Sequence, residues 1–203
     1  MIASKPADTK TRILDAAEKL FGKNGFDATS LRDITAEADV NLAAVNYHFQ
    51  SKDSLIDAVI ARRIEPVNRK RLEMLESAGP NPNIEQILLA FLAPVFIHHP
   101  ASVLDLMGRM MASPEVFVTR LFKVHLVPIV ERFSAAIAKA VPELSHNEIL
   151  WRLHFTAGAM AHTLARTHLL GTMLGAPVPP DRQTVLARLV TFSAAGFGAP
   201  EDI

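Results

Sequence analysis

The sequence predicts an all-α protein with an N-terminal three-helix helix-turn-helix domain and a C-terminal antiparallel helical domain. One Tyr, one Trp and 13 Pro occur in 203 residues, and runs of β-branched residues are absent, so strands are disfavoured. Apolar side chains instead recur at helical spacing. Hydrophobic residues make up 49% of the chain, enough for a sizeable core. We expect the two domains at residues 8–60 and 61–203.

The first domain is framed by two amphipathic helices. The first helix runs from about Asp8 to Lys23, and Asn24-Gly25 supplies the left-handed end that helices commonly have. Its apolar residues lie on one face: Ile13, Leu14, Ala17, Leu20 and Phe21. A second apolar stripe predicts the helix that packs beside it: Leu55, Ile56, Val59 and Ile60. This later helix continues to about Ser77, with Pro66 kinking or interrupting it.

The stretch Ser30 to Lys52 predicts two short helices joined by a tight turn. Ser30 stands three residues before Asp33, the spacing of an N-cap whose acid also suits the positive end of the helix dipole. The apolar residues of this helix form one stripe: Leu31, Ile34 and Ala38. Asp39 ends the stripe, and aspartate tolerates the left-handed backbone of a turn better than most residues do.

The second short helix, Leu42–His48, has the composition of a surface that meets DNA. Asn41 is a good N-cap for it. Small or uncharged residues at its start let the helix approach base edges closely, and Asn46 has the amide that pairs with adenine. From Asn41 to Lys52 there is no acidic residue, as expected of a surface facing phosphates. The alternative is a short helix that only packs.

The rest of the chain predicts strongly apolar helices after a break at residues 78–83, where Gly and Pro cluster. The expected helices span residues 84–97, 100–112, 114–141, 143–170 and 181–197. Pro100 and Pro114 fit the first positions of two of them. Pro128 bends the third, and Asp181 caps the last.

Bulky apolar side chains on the middle helices form a candidate pocket for an apolar molecule. Methionine and phenylalanine at helical spacing usually form plain core. Together with Pro94 and Pro128, which prevent parallel helix packing, they could instead line an elongated cavity. The candidate lining residues are Phe96, Met107, Met110, Met111, Phe117, Phe122, His125 and Phe155.

The last two helices carry a candidate contact surface for another helix. The long helix has small residues on one face: Ala157, Gly158, Ala159 and Ala161. The final helix offers apolar ones: Val185, Leu186, Leu189, Val190 and Phe192. Packing within the chain and packing against a second copy both fit this pattern.

Several function classes are disfavoured. The chain has no cysteine, which excludes disulfides, thiolate zinc sites and a cysteine nucleophile, and suits the cytoplasm. The eight histidines make no HExxH motif, and glycine-rich phosphate loops are absent, so we expect no metal site, no cofactor and no enzyme. The start of the chain lacks the apolar core of a signal peptide, and the apolar run Ile87–Ile97 is about half a membrane span. We therefore expect a soluble protein without membrane contact.

Charge gives no simple support for DNA binding. The 21 basic and 21 acidic residues balance, and residues 1–64 hold nine of each. A protein that binds phosphates with this composition must turn its acids away from the binding face.

The segment Thr11 to Leu55 resembles the DNA-binding domain of the TetR family of bacterial repressors. The matching strings are TRILDAAEKLF, NGFDATSLRDI and NYHFQSKDSL. The family usually has glycine where Asp39 stands, and often an aromatic residue where Asn46 stands. In TetR-like proteins the last two long helices form a four-helix interface across a two-fold axis. The resemblance therefore implies a homodimer.

The resemblance also implies roles for residues at matching positions. Positions that hold the phosphate backbone are Ser30, Tyr47, His48 and Lys52. Positions that face base edges are Arg32, Leu42, Ala43, Ala44 and Asn46. With the cap residue Asn41, these form the predicted DNA-binding set.

The function implied is a ligand-responsive repressor that binds a near-palindromic operator in double-stranded DNA. The strings NLAAVNYHFQSK and WRLHFTAGAMAHTLA also resemble a branch that senses long-chain fatty acids or their CoA thioesters. The expected effector is thus a small hydrophobic molecule that releases the protein from DNA. The alternative is a dimeric all-helical scaffold or sensor without operator binding.

Overall fold

The structure is a computed structural model that describes residues 8–98, 119, 122–175 and 181–201. Across these residues the fold is all-α, as predicted. The helices are α1 (Thr9–Asn24), α2 (Leu31–Ala38), α3 (Leu42–Phe49), α4 (Lys52–Ser77), α5 (Ile84–His98), α6 (Val127–Ala140), α7 (His146–Leu174) and α8 (Arg182–Phe197), with a π-helical segment at Phe122–Leu126. In the described ranges no helix is both long and apolar enough to cross a membrane.

Prolines account for the main differences from the predicted helices. Pro66 does not interrupt α4, which continues to Ser77. In the described part of the helix expected at residues 114–141, the chain is helical from Phe122 to Ala140, as a π-helical segment followed directly by α6 with Pro128 in its first turn. A proline has no N–H and its ring clashes with the preceding turn, so the start of a helix tolerates it best. The expected helix at residues 100–112 and the start of the next one lie outside the described residues.

Residues 8–64 form one compact unit, made of α1, α2, α3 and the first half of α4. Its core is apolar except for the buried Thr29, whose hydroxyl donates to the Gly25 carbonyl at 2.8 Å, and both framing helices contribute to the core as the sequence predicts. The largest side chains of the unit that are completely buried are Ile13, Phe21, Ile34, Leu55 and Ile60. The rings of Phe21 and Phe26 lie 5.2 Å apart, so the residue after the Gly25 turn returns to the core. This packing holds the two short helices between the longer ones.

The second unit contains residues 65–98, 122–175 and 181–201. Helix α5 is hydrophobic on nearly all sides, as a helix enclosed by others should be, and it packs against α6 and α8. The core of the second unit includes Ile87, Leu88, Leu92, Phe96, Phe133, Ile137, Ile149 and Phe197. Asp181 caps α8 by accepting a hydrogen bond from the Thr184 N–H at 2.7 Å, as predicted.

The end of α8 is fastened to the start of α7 by hydrogen bonds, which we call the terminal clasp. The Arg152 guanidinium donates to the carbonyls of Gly196 and Ala199, each at 2.7 Å, and its Nε contacts Glu148 at 2.6 Å. Glu201 accepts from the Ser145 N–H at 2.7 Å. Hydrogen bonds from Ser145, and then the charge of Arg152, lower the pKa of Glu201.

Candidate nucleic-acid interface

Helix α2 begins with a complete capping box. The Asp33 N–H donates to Ser30 Oγ at 3.2 Å, and the Ser30 N–H donates to Asp33 Oδ2 at 2.9 Å. The cap that the sequence predicts is therefore confirmed. The hydrogen bonds from Ser30, side chain first and backbone second, lower the pKa of Asp33. The Ser30 hydroxyl is also 2.6 Å from the same carboxylate oxygen, so it is already engaged within the cap.

Asp39 makes the turn between the two short helices in the left-handed conformation, with φ 50° and ψ 55°. Its N–H reaches the Thr35 and Ala36 carbonyls. Arg12 of α1 closes the turn by donating to the carbonyls of Ala38 at 2.6 Å and Asp39 at 2.7 Å, and it contacts the Asp39 carboxylate at 3.2 Å. The sequence argument missed Arg12. It lies in the matched string TRILDAAEKLF, but nothing local to it indicates a contact 27 residues away.

Helix α3 is capped by Asn41, whose Oδ1 accepts a hydrogen bond from the Ala44 N–H at 2.8 Å. Two residues anchor the helix in the core, since Val45 is 1% exposed and Phe49 is 5% exposed. Since these two side chains point into the core, the opposite face of α3 is exposed to solvent. Tyr47 is 83% exposed, and the other exposed residues of that face are Leu42, Ala43 and Asn46. We call these four residues the reading face.

The remaining predicted contacts are less exposed. Ala44 is half-buried and packs against the core of the first unit. His48 is half-buried with its ring centroid 5.0 Å from that of Tyr47 in an edge-to-face arrangement. Lys52 is half-buried, and its Nζ lies 3.4 Å from the Asp27 carbonyl. The structure thus brings these three residues beside the reading face without fully exposing them.

The chain turns sharply after α3. Gln50 has φ 63° and ψ −39°, and the Ser51 N–H bonds to the Phe49 carbonyl at 2.7 Å. This is close to the three-residue turn that is rare because it is strained. Ser51 then caps α4 by accepting from the Ser54 N–H at 3.1 Å, as its hydroxyl predicts. Strained backbone is common at functional sites.

The charges of the first unit are arranged in pairs between helices. Lys19 contacts Glu37 at 2.6 Å, and Arg62 contacts Asp15 at 2.6 Å. Arg63 binds Glu18 through its Nε at 2.7 Å, which ties α4 to α1. These pairs and Arg12–Asp39 neutralise four of the acids in the first unit. The acidic residues are therefore partly compensated by bases on neighbouring helices. Arg32 is exposed, and no ion pair among the described residues uses it.

The predicted ligand-binding residues differ widely in exposure where the structure describes them. Phe96 is 1% exposed in the core of the second unit, whereas Phe155 is 62% exposed and stacks near Trp151 at 5.7 Å. Phe122 is 37% exposed and His125 is half-buried, both in the π-helical segment. Four more lie outside the described residues: Met107, Met110, Met111 and Phe117. In the described part of the chain, no group of three His, Asp or Glu residues could hold a metal.

Helices α7 and α8 expose large aromatic side chains. Trp151 is 52% exposed and Phe192 is 72% exposed, and with Phe155 we call them the aromatic patch. The sequence left two alternatives open for these helices, packing within the chain and packing against a second copy, and the exposure of their side chains is consistent with both. Leu186 and Leu189 are buried within the unit, whereas Phe192 of the same helix faces solvent.

The fold and the reading face define a helix-turn-helix protein with an all-helical second unit. The match to known families is more specific. Residues 13–59 match the family described as bacterial regulatory proteins, tetR family, and residues 90–196 match the tetracyclin repressor-like C-terminal domain. The chain therefore belongs to the TetR family of bacterial regulatory proteins.

Individual relatives agree with this assignment. The transcriptional repressor Rv3405c of Mycobacterium tuberculosis is 41% identical over 76 residues, which is 37% of this chain and 38% of that protein. The regulator UidR of Escherichia coli is 29% identical over 108 residues, covering 53% and 55%. The matches thus span about half the length of these relatives or less. The solved structure of Salmonella enterica GusR is similar in fold, with a TM-score of 0.69 at 20% identity over 97% of this chain and 99% of that one.

Proposed function

We propose that the protein is a transcriptional repressor that binds a near-palindromic operator as a homodimer and is released by a small apolar effector. One observation carries the DNA-binding part. The reading face is exposed and free of acids, and it belongs to a capped helix whose other side is anchored in the core. Family membership and the relative named as a repressor support the same activity.

Residue roles follow from exposure and chemistry. Leu42, Ala43 and Asn46 would contact base edges, because all three are exposed and uncharged and the first two lie at the start of the helix. Tyr47 would contact the phosphate backbone through its hydroxyl. Four members of the predicted set would make contacts with DNA at the edge of the site, because the Ser30 hydroxyl is already bonded to Asp33 and the other three are half-buried: Ser30, Ala44, His48 and Lys52. Arg32 and Asn41 complete the set.

Dimerisation would present two copies of α3 to successive major grooves, about 34–36 Å apart. The aromatic patch supports such a contact, since exposed aromatic side chains commonly mark a protein interface. The effector would bind in the second unit, where the core is rich in phenylalanine. A long-chain fatty acid or its CoA thioester is the effector we propose, from the resemblance of the two strings noted above.

Fluorescence anisotropy tests the DNA-binding part, with the purified protein titrated onto labelled fragments of the promoter region that adjoins its own gene. We expect one near-palindromic site to be bound in preference to bulk competitor at low ionic strength. Asn46→Ala should relax the preference at one base pair by roughly 1–3 kcal/mol, because an amide pairs bidentately with adenine. Lys52→Ala should weaken binding to all sequences alike.

Lys139→Ala is the matched control, since Lys139 is an exposed base of the second unit. It should leave both affinity and preference unchanged. If no fragment is distinguished from competitor, the protein is instead a scaffold or sensor without operator binding. If Asn46→Ala keeps the wild-type sequence preference, Asn46 does not read a base.

A further inference from the structure

Arg71 is a buried cation in the second unit with neutral partners. It lies on α4 and is only 5% exposed. Its Nε donates to the Phe91 carbonyl at 2.8 Å, and Nη1 donates to the Asn68 side-chain oxygen at 3.2 Å. Its guanidinium carbon lies 4.4 Å from the centre of the Phe91 ring. Among the described residues no carboxylate makes an ion pair with it.

In the part of the chain that the structure describes, the charge of Arg71 therefore has no carboxylate to balance it. A guanidinium has five N–H donors, and the two hydrogen bonds above use two of them. Burial lowers the pKa of Arg71 to about 10, so the group still carries its proton at neutral pH. Buried charges are normally paired, because taking a charge out of water costs far more than a neutral contact returns. A cation kept here without a partner suits a site that receives an anion.

A purely structural role explains only part of this geometry. Pro94 lies inside α5 and cannot donate a hydrogen bond to the preceding turn, and a proline ring inside a helix crowds the carbonyls of that turn. The Nε bond to the Phe91 carbonyl lies in this turn and can compensate for the missing backbone hydrogen bond. A neutral donor would serve that purpose at a lower desolvation cost. The contact with the Phe91 ring uses part of the positive charge, but it returns less free energy than burial of an unpaired charge costs.

We propose that Arg71 binds the carboxylate of an amphiphilic effector, whose apolar part contacts the phenylalanines of the same core. The proposal rests on the effector binding proposed above and narrows it to a free acid. A planar guanidinium matches a carboxylate with two parallel hydrogen bonds. Phe91 and Phe133 lie 5.2 Å apart in the core that also holds Phe96, so apolar surface is close to the charge.

The same chemistry argues against a CoA thioester as the ligand at this position. A thioester carries no charge at its acyl end, so it would leave Arg71 unpaired. Its phosphates carry several charges, and one buried guanidinium could not compensate them all. A monocarboxylate brings one negative charge to one positive charge.

Calorimetric titration of the purified protein without DNA tests the proposal. The probes are two acid and alcohol pairs, dodecanoate with dodecanol and 4-phenylbutyrate with 4-phenylbutanol, which differ only in the charged end. For the wild type we expect at least one acid to bind 10-fold or more tightly than its alcohol. Equal affinities within both pairs would overturn the proposal whatever the variants do.

Arg71→Gln keeps a hydrogen-bond donor but removes the charge, and it should abolish the preference for the acid. Arg69→Gln is the matched control, because Arg69 is exposed on the same helix, and it should keep the wild-type preference. An Arg71→Gln variant that still prefers the acid 10-fold contradicts the proposal. Should this variant fail to fold by circular dichroism, Arg71→Lys decides, since it keeps the charge but loses the two-pronged geometry and should reduce the preference about 5-fold or more.

These results are independent of the DNA-binding test. A protein that binds its operator but does not distinguish acid from alcohol retains the proposed function and loses this inference. A protein that prefers the acid but does not distinguish any DNA fragment from competitor retains this inference and loses the proposed DNA-binding function.

Discussion

Asp39 shows how one residue is kept in a conformation that its type rarely adopts. Its left-handed backbone suits glycine, the residue usual in the family, yet the turn forms because Arg12 donates to two carbonyls at the end of α2. Aspartate also tolerates this region better than residues with larger or branched side chains. The arginine and the aspartate therefore act together where a glycine alone would suffice.

Asp39→Ala should be less stable than Asp39→Gly by about 1 kcal/mol, because alanine strains the left-handed backbone and glycine does not. Urea denaturation followed by circular dichroism measures the difference. Lys10→Ala, at an exposed position of α1, is the control and should unfold like the wild type. Equal stability of the two Asp39 variants would mean that the turn changes its conformation on substitution.

At the scale of the element, the caps of the helices were predictable and the contacts between helices were not. Ser30, Asn41 and Asp181 cap their helices through residues three positions away, so the signal lies within one turn of sequence. Arg12 and Arg71 instead meet carbonyls 27 and 20 residues away, and nothing in their own neighbourhood indicates this. Sequence periodicity predicts which face is buried but not which polar side chain crosses to another helix.

The π-helical segment is a similar case. Pro128 indicated a disturbance of the helix, but the sequence could not predict whether the helix would bend or would change to a π-helical segment before the proline. The outcome depends on tertiary contacts, among them the hydrogen bond from Asn68 to the His125 carbonyl at 2.7 Å. The reading face was predictable because Val45 and Phe49 follow the helical period, which leaves Leu42, Asn46 and Tyr47 outside.

The capping box of α2 should make the first unit sensitive to acid. The hydrogen bonds from Ser30 lower the folded-state pKa of Asp33, so its contribution to stability is present above its ordinary pKa and is lost as pH falls through the lower folded-state value. Ser30→Ala removes both the cap and this dependence. We expect the stability difference between wild type and Ser30→Ala to shrink between about pH 5 and pH 2.

Urea midpoints measured across that range check this expectation. Ser54→Ala is a suitable control, since Ser54 is an exposed hydroxyl at the start of α4 that meets Ser51 rather than a carboxylate. A difference between wild type and Ser30→Ala that stays constant with pH would show that Asp33 is not linked to the cap.

At the scale of the whole molecule, the aromatic patch should decide the oligomeric state. Phe192→Glu places a charge in the proposed interface, where association would remove it from water, and should shift the protein to a monomer. Sedimentation velocity measures the change. Val124→Glu adds the same charge at another exposed apolar position, 61% exposed, and should leave the dimer intact. A dimeric Phe192→Glu variant would move the interface elsewhere.

The terminal clasp has a consequence for how two such chains would meet. Arg152 stands between Trp151 and Phe155 in the sequence and bonds to Gly196, one turn beyond Phe192, so the aromatic side chains of both helices lie at the fastened end. Their backbones are thus ordered before any encounter. Joining of the two copies would cost little additional conformational entropy, and its kinetics should resemble rigid-body docking rather than folding coupled to association.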